Sequence, residues 1–260
     1  MAFLELLYRS DVLKENVTVN VLLPEEAKRQ SEEEMAPYKT LYLFHGLSGD
    51  RSTWMRQMSI ERYAAEHRIA VVMPSVGRSW YTDTVDGRGY LTFVTEELPN
   101  VCRGFFRGMS EKREDNLVAG LSMGGYGAVK AALTRPDRFG ACASLSGALD
   151  IASKTRKICL EEWRGIFGFD LQSAVELKGT KHDIFETVRQ NHASGVRFPK
   201  LYLWCGTEDH LLEANRDFDT LLNELDIPHC YEESEGDHSA KWWDLHIQDA
   251  LHFLLKEQRD

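Results

Sequence analysis

The sequence contains no Cys-x-x-Cys pair, no apolar run approaching the length of a membrane span, no internal repeat and no low-complexity segment. Its five cysteines, at 102, 142, 159, 205 and 230, are odd in number, and several sit inside apolar runs such as Leu201-Tyr202-Leu203-Trp204-Cys205. That usage excludes a disulfide framework or a zinc ribbon, and the thiols are expected reduced and in the core. Cations are outnumbered, with 31 Lys and Arg against 41 Asp and Glu and a net charge of -10. The basic face by which nucleic-acid binders are recognised is therefore missing. No basic segment leading into an apolar run follows Met1, so the expectation is a cytoplasmic protein with neither a nucleic-acid nor a membrane partner.

What is present fits one soluble domain over residues 1–260, at 43% hydrophobic and 28% charged. Apolar runs of strand length alternate with helical periodicity, the pattern of an α/β sheet with helices on both faces. Eight strands are expected, an antiparallel opening pair at Phe3–Tyr8 and Val17–Leu23, then Lys39–Phe44, Ile69–Met73, Asn116–Leu121, Ala141–Leu145, Lys200–Cys205 and His229–Glu232. Helices are expected at Ile60–His67, Leu91–Phe106, Gly124–Leu133, Leu212–Leu225 and Lys241–Leu255. Pro99 should kink or split the second of these, because proline cannot donate to the helical ladder. Residues 24–37, with Glu32-Glu33-Glu34, read as a solvated loop. The interval 148–198 is longer than one crossover helix needs and reads as a cap insertion, its apolar material supplied by Trp163, Ile166, Phe167 and Phe169. A plain helix packed on the sheet is the alternative.

Chemistry enters at Gly120-Leu121-Ser122-Met123-Gly124-Gly125, preceded by Leu117-Val118-Ala119 and followed by a helical stretch. A serine between a strand and a helix, flanked by glycines, is a nucleophile elbow, in which small neighbours permit the strained backbone that lifts the hydroxyl above the sheet. Such an elbow requires an acid and then a histidine later in the chain. Asp209 follows a late strand in Gly206-Thr207-Glu208-Asp209-His210, with Glu208 a rival and Asp150 a weaker one. His238 follows the last strand in Ser234-Glu235-Gly236-Asp237-His238, while His67, His246 and His252 fall on helices and His182 and His192 in the insertion. The oxyanion donors expected are the backbone N–H groups of Met123 and of Leu47 in Phe44-His45-Gly46-Leu47-Ser48-Gly49. Trp80 and Tyr81, on the loop after the fourth strand, are expected to bind substrate, with loop bracing as the alternative. The Asp209-His210 and Asp237-His238 pairs could be read as metal ligands, but a serine triad needs neither metal nor cofactor and should survive exhaustive chelation.

Beyond the elbow, Val19-Asn20-Val21-Leu22-Leu23-Pro24, Trp80-Tyr81-Thr82-Asp83, Glu96-Glu97-Leu98-Pro99 and Ser146-Gly147-Ala148-Leu149 carry a resemblance spanning nearly the whole chain. The sequence resembles the esterase family that contains esterase D, S-formylglutathione hydrolases, bacterial tributyrin esterases and some feruloyl and acetyl-xylan esterases, and looks most like the tributyrin esterases. That resemblance implies an α/β-hydrolase fold, hydrolysis of short acyl esters without a cofactor, homo-oligomers, and Ser122, Asp209 and His238 as the triad. The elbow here continues Gly124-Gly125-Tyr126 where S-formylglutathione hydrolases commonly have Gly-Gly-His. A thioesterase acting on that substrate and a non-catalytic ligand receptor on the same fold are the competing expectations.

Overall fold

The computed structural model describes residues 1–25, 37–153 and 159–256, so most of the loop expected at 24–37 lies outside the described residues. The strands are β1 (Ala2–Arg9), β2 (Asn16–Leu23), β3 (Thr40–Phe44), β4 (Ala70–Pro74), β5 (Asn116–Leu121), β6 (Ala141–Leu145), β7 (Lys200–Gly206) and β8 (His229–Ser234). They form one sheet in the order β1-β2-β4-β3-β5-β6-β7-β8. β2 runs antiparallel to both β1 and β4, and the remaining pairs are parallel. This is the α/β-hydrolase fold.

Every residue of β3, β4, β5 and β6 is buried, as a parallel sheet covered on both faces requires. Side chains alternate between two cores. Tyr42 and Phe44 of β3 join one, with Phe218 and Val188, and Leu41 and Leu43 join the other, with Trp54 and Ile247. The first core is roofed by α5 (Met123–Thr134), α7 (Ile184–Ala193) and α8 (Leu212–Glu224). α1 (Thr53–Gln57), α2 (Ile60–His67) and α9 (Ala240–Leu255) cover the second. Phe44 pairs in register with Gly120, Leu121 with Leu145, and Gly206 with Ser234, so the carboxyl ends of β3, β5, β7 and β8 share one edge. The strand order reverses between β3 and β5, the place where ligands bind in open α/β sheets.

The helix around Pro99 is split, one of the two outcomes expected of it. The helix opens as α3 (Tyr90–Thr92), widens to a π turn at Phe93–Glu97 and resumes as α4 (Leu98–Phe105) with Pro99 in its first turn. Widening the coil accommodates a ring that would otherwise strike the carbonyl four residues back. The Glu97 carboxylate accepts from the Ser10 hydroxyl and from the amides of Asp11 and Val12 at 2.7 and 3.3 Å. Cys102, Cys142 and Cys205 are buried and unpaired as expected, whereas Cys159 is exposed. No described helix is long and apolar enough to cross a membrane.

The interval 148–198 divides in two. α7 packs on α5 and α8 as an ordinary sheet-covering helix. The shorter α6 (Leu160–Phe167) buries Trp163, Ile166 and Phe167, while Phe169 stands 69% exposed and supplies no apolar contact to that core. α6 is fastened to the loop after β4, where the Arg78 guanidinium forks onto Glu162 at 2.5 and 3.0 Å and the Val85 amide donates to Ile166 O at 3.2 Å.

Among the described residues, one lysine is buried. Lys130 of α5 is 3% exposed, donates to Thr82 Oγ1 and lies 3.4 Å from His182 Nδ1. Burial pulls its pKa down to about 7, against an opposing pull from Asp83. The unfolded lysine keeps its proton to about pH 10, so between those values the unfolded chain binds more protons and this residue makes stability rise with pH. Lys130→Met should therefore raise the unfolding free energy more at pH 7 and below than at higher pH. Its advantage over wild type should narrow by on the order of 2 kcal/mol at pH 9, read by denaturant melts at both pH values; an advantage independent of pH would refute the account.

Candidate active site

β5 delivers Leu121 to a turn in which Ser122 adopts φ 54° and ψ -119° before α5 begins. A backbone in that region costs a non-glycine residue about 1–3 kcal/mol and persists only where its surroundings over-determine it. They do so here, because the Ser122 amide donates to Leu145 O at 3.0 Å and its carbonyl accepts from Tyr126 and Ala148 at 3.2 and 3.0 Å. A Cβ on Gly120 would fall 2.2 Å from Gly124 O, so only glycine lets strand and helix approach this closely.

Asp209 and His238 arrive on the loops after β7 and β8. His238 Nδ1 lies 2.8 Å from Asp209 Oδ2, and its Nε2 lies 3.0 Å from Ser122 Oγ. A carboxylate on Nδ1 fixes that nitrogen as the N–H donor and leaves the Nε2 lone pair to accept from the serine hydroxyl. Burial works to raise the Asp209 pKa, but the hydrogen bond and charge of His238 and the Leu211 amide outweigh it and hold the carboxyl below its ordinary value. Glu208 is excluded as the acid by its own bonding, since its carboxylate accepts from the Gly236 amide at 2.7 Å. That bond, with Glu208 N to Gly236 O at 3.0 Å and Thr207 N to Ser234 O at 2.9 Å, ties the two loops together. His210 stands beside the pair with its ring 4.6 Å from that of His238, and the three residues bring donor atoms within 4.8 Å of one another.

Opposite the elbow, the turn after β3 runs against the nucleophile, and a Cβ on Gly46 would lie 3.5 Å from Ser122 Cβ. Among the described residues, neither the Leu47 nor the Met123 amide donates a hydrogen bond inside the protein. His45, buried at 1% exposure, sets the first of them. Its Nε2 accepts from the Val76 amide at 3.1 Å, so its Nδ1 carries the proton and donates to Gly46 O at 2.7 Å. Because the peptide is planar and trans, fixing the Gly46 carbonyl also fixes the direction of the Leu47 N–H on the opposite side. Burial lowers the His45 pKa, which keeps this neutral tautomer in place.

Trp80 and Tyr81 are not among the residues that line the cleft beside Ser122, and both make packing contacts of the bracing kind. Tyr81 is fully buried, stacks on Phe44 at 4.4 Å and donates its hydroxyl to His45 O at 3.0 Å. Trp80, 4% exposed, packs edge-on between Tyr126 and Trp163 at 5.8 and 5.4 Å. Gly127 makes the room, since a Cβ there would lie 2.3 Å from the Tyr81 ring. Tyr81→Phe removes one buried hydrogen bond on the oxyanion turn and should lower kcat about fivefold with KM nearly unchanged. A change confined to KM would return the ring to substrate binding.

The cleft encloses about 520 Å³ and reaches from Ser122, His238 and Trp243 along the Leu47 turn to Arg56. A larger groove of about 750 Å³ lies at the other end of the sheet around Pro199, Lys200 and His229, with no serine, threonine or cysteine in its lining, so the chemistry belongs to the smaller one. Trp243, which no motif singled out, donates Nε1–H to Ser146 Oγ at 3.0 Å and supports the His238 ring edge-on at 4.9 Å.

Residues 10–254 match the family described as "Putative esterase". The chain is 32% identical to an acetyl esterase of Caldicellulosiruptor saccharolyticus over 98% of its own length and 99% of the relative's. Among solved structures it is similar to FphF, a fluorophosphonate-binding serine hydrolase of Staphylococcus aureus, with 35% identity, a TM-score of 0.89, and 98% and 99% of the two chains covered. S-formylglutathione hydrolase (FrmB) of the same organism matches at 35% identity and a TM-score of 0.86 over the same shares. With the serine elbow, the fold and these likenesses together, the chain belongs to this esterase family of α/β-hydrolases and is a carboxylic ester hydrolase.

Proposed function

We propose that the chain hydrolyses short acyl esters, acetyl to butyryl, through an acyl-Ser122 intermediate. The observation that carries this reading is the continuous relay from Asp209 through His238 to a serine held on a strained elbow. Ser122 Oγ attacks the ester carbonyl as His238 Nε2 takes its proton, and Asp209 steadies the imidazolium. The negative charge on the carbonyl oxygen is met by the Leu47 and Met123 amides, each worth about 3 kcal/mol in the transition state. His238 then returns its proton to the departing alcohol, and water repeats the cycle to release the acid. α6, pinned over the loop after β4, serves as the cap on the acyl side. Tributyrin, aryl esters and acetylated sugars fall within this substrate class, and the reading includes assembly of identical subunits and work in the cytoplasm.

A p-nitrophenyl ester series from acetate to octanoate, run with a matched thioester, tests the reading. A maximum at two to four acyl carbons supports it; a monotonic rise to octanoate would refute the short pocket. The likeness to S-formylglutathione hydrolase favours a thioesterase as the second reading despite Tyr126 at the elbow, and a thioester preference in the same series would select it. Stoichiometric ligand binding without turnover would select the receptor.

A further inference from the structure

We infer that the cleft beside His238 is a leaving-group subsite for an anion, with Arg56 as its cation, so that esters whose alcohol half carries a carboxylate are preferred. This rests on the serine-esterase reading above. In that chemistry the leaving group takes its proton from His238 Nε2, and so departs on the side His238 faces. The cleft bordered by Ser122 and His238 continues to Ser48, Asp50, Arg56 and Gln57. Apolar and polar groups line it in nearly equal measure, with Leu47, Leu121 and Trp243 beside Ser48, Asp50 and Arg56, so a leaving group that carries an apolar ring and a charge suits it.

Arg56 lies in the last turn of α1 and is exposed, and among the described residues its guanidinium makes no ion pair or hydrogen bond. Arg51, Arg62 and Arg78, by contrast, are each within 4.0 Å of a carboxylate, those of Glu5, Glu66 and Glu162. In a chain of net charge -10, an unmatched guanidinium opening on the reaction cleft is a local exception. Its planar fork suits a carboxylate through two parallel N–H donors. Asp50, also on the cleft, is engaged at Oδ1 by the Ser52 amide and hydroxyl at 2.7 and 2.6 Å. It supplies the opposing charge that keeps anion affinity moderate and lets product leave.

Two acetates separate the proposal from general damage. 4-Acetoxybenzoate releases an anionic phenol, and methyl 4-acetoxybenzoate releases a neutral one of the same shape. Comparing variant with wild type on each ester cancels the difference in leaving-group reactivity. Arg56→Ala should lower kcat/KM for the anionic ester about tenfold, mainly through KM, and leave the neutral ester within about twofold. Asp50→Asn should raise kcat/KM for the anionic ester alone, and 0.5 M NaCl should shrink the wild-type preference. Equal losses on both esters, or none on either, would overturn the subsite. Wild type that turns over neither ester and forms no acyl-enzyme would overturn the esterase reading and the subsite with it.

Discussion

Ser122→Ala is expected to lower kcat by about a millionfold on any ester the wild type hydrolyses, leaving only what the oxyanion donors and binding supply. The size of the loss follows from the geometry. His238 Nε2 has one partner placed to attack, the Ser122 hydroxyl at 3.0 Å, and without it the relay ends in a base with nothing to activate. Asp209→Asn should cost about ten-thousandfold, because an amide at this position can offer the wrong tautomer to His238 Nδ1. Intact-mass analysis after quenching with a slow aryl ester provides the second readout, with an acyl adduct on wild type and none on Ser122→Ala. The melting temperature of Ser122→Ala should stay close to wild type, since the strained turn is fixed by backbone hydrogen bonds that alanine retains. Residual turnover above one part in a thousand would remove Ser122 as the nucleophile.

Gly124→Ala should damage activity by another route, though less severely than loss of Ser122. Its Cβ would sit 2.5 Å from Phe44 O and 2.6 Å from His45 O, and both obstacles are backbone. The end of β3 must move away from the elbow, which shifts the Leu47 amide relative to Ser122. Overpacking of this kind costs about 3 kcal/mol, and a displacement near 1 Å at the reacting centre costs about a hundredfold in kcat. Chemical denaturation and kcat should fall together. A variant with normal stability and normal kcat would show that the turn accommodates the methyl group and that Gly124 is not what holds the two loops at this spacing.

β3 to β6 were legible because parallel strands buried on both faces read as short continuous apolar runs, β1 because half-buried and exposed residues alternate along it, and glycine marked the elbow. Asp209 and His238 were legible from order alone, since the sheet forces the acid and base onto the loops after its late strands. Local reading could not decide where Trp80 and Tyr81 point, because their burial depends on Gly127, a helical glycine 46 residues after Tyr81 whose missing side chain is felt only in three dimensions. Nor could periodicity separate α6 from α7, as both are amphipathic and only packing on α5 and α8 makes α7 a part of the sheet's covering. His45 was noticed as part of a His-Gly turn, but its hold on the Gly46 carbonyl needs Val76 from the next strand's loop. Pro99 signalled that the helix would be interrupted but not that a π turn would do it, since a π turn is a response of the neighbouring backbone rather than of proline itself.

The tie between the Asp209 and His238 loops also sets when catalysis can begin. Ser122 lies in the first half of the chain, whereas its base comes from β8, an edge strand whose ladder runs along β7 alone. A nascent chain that has completed β5 and α5 possesses a shaped nucleophile without the means to ionise it. Hydrolysis starts only once the last strand has docked, so the growing chain cannot acylate itself while its core is still open to solvent. The same order holds in reverse in the finished protein. Release of β8 from β7 is expected to silence the enzyme while the strands around Ser122 stay protected from hydrogen exchange. Activity is thus a gauge of the carboxyl-terminal edge and reports its loosening before the rest of the fold gives way.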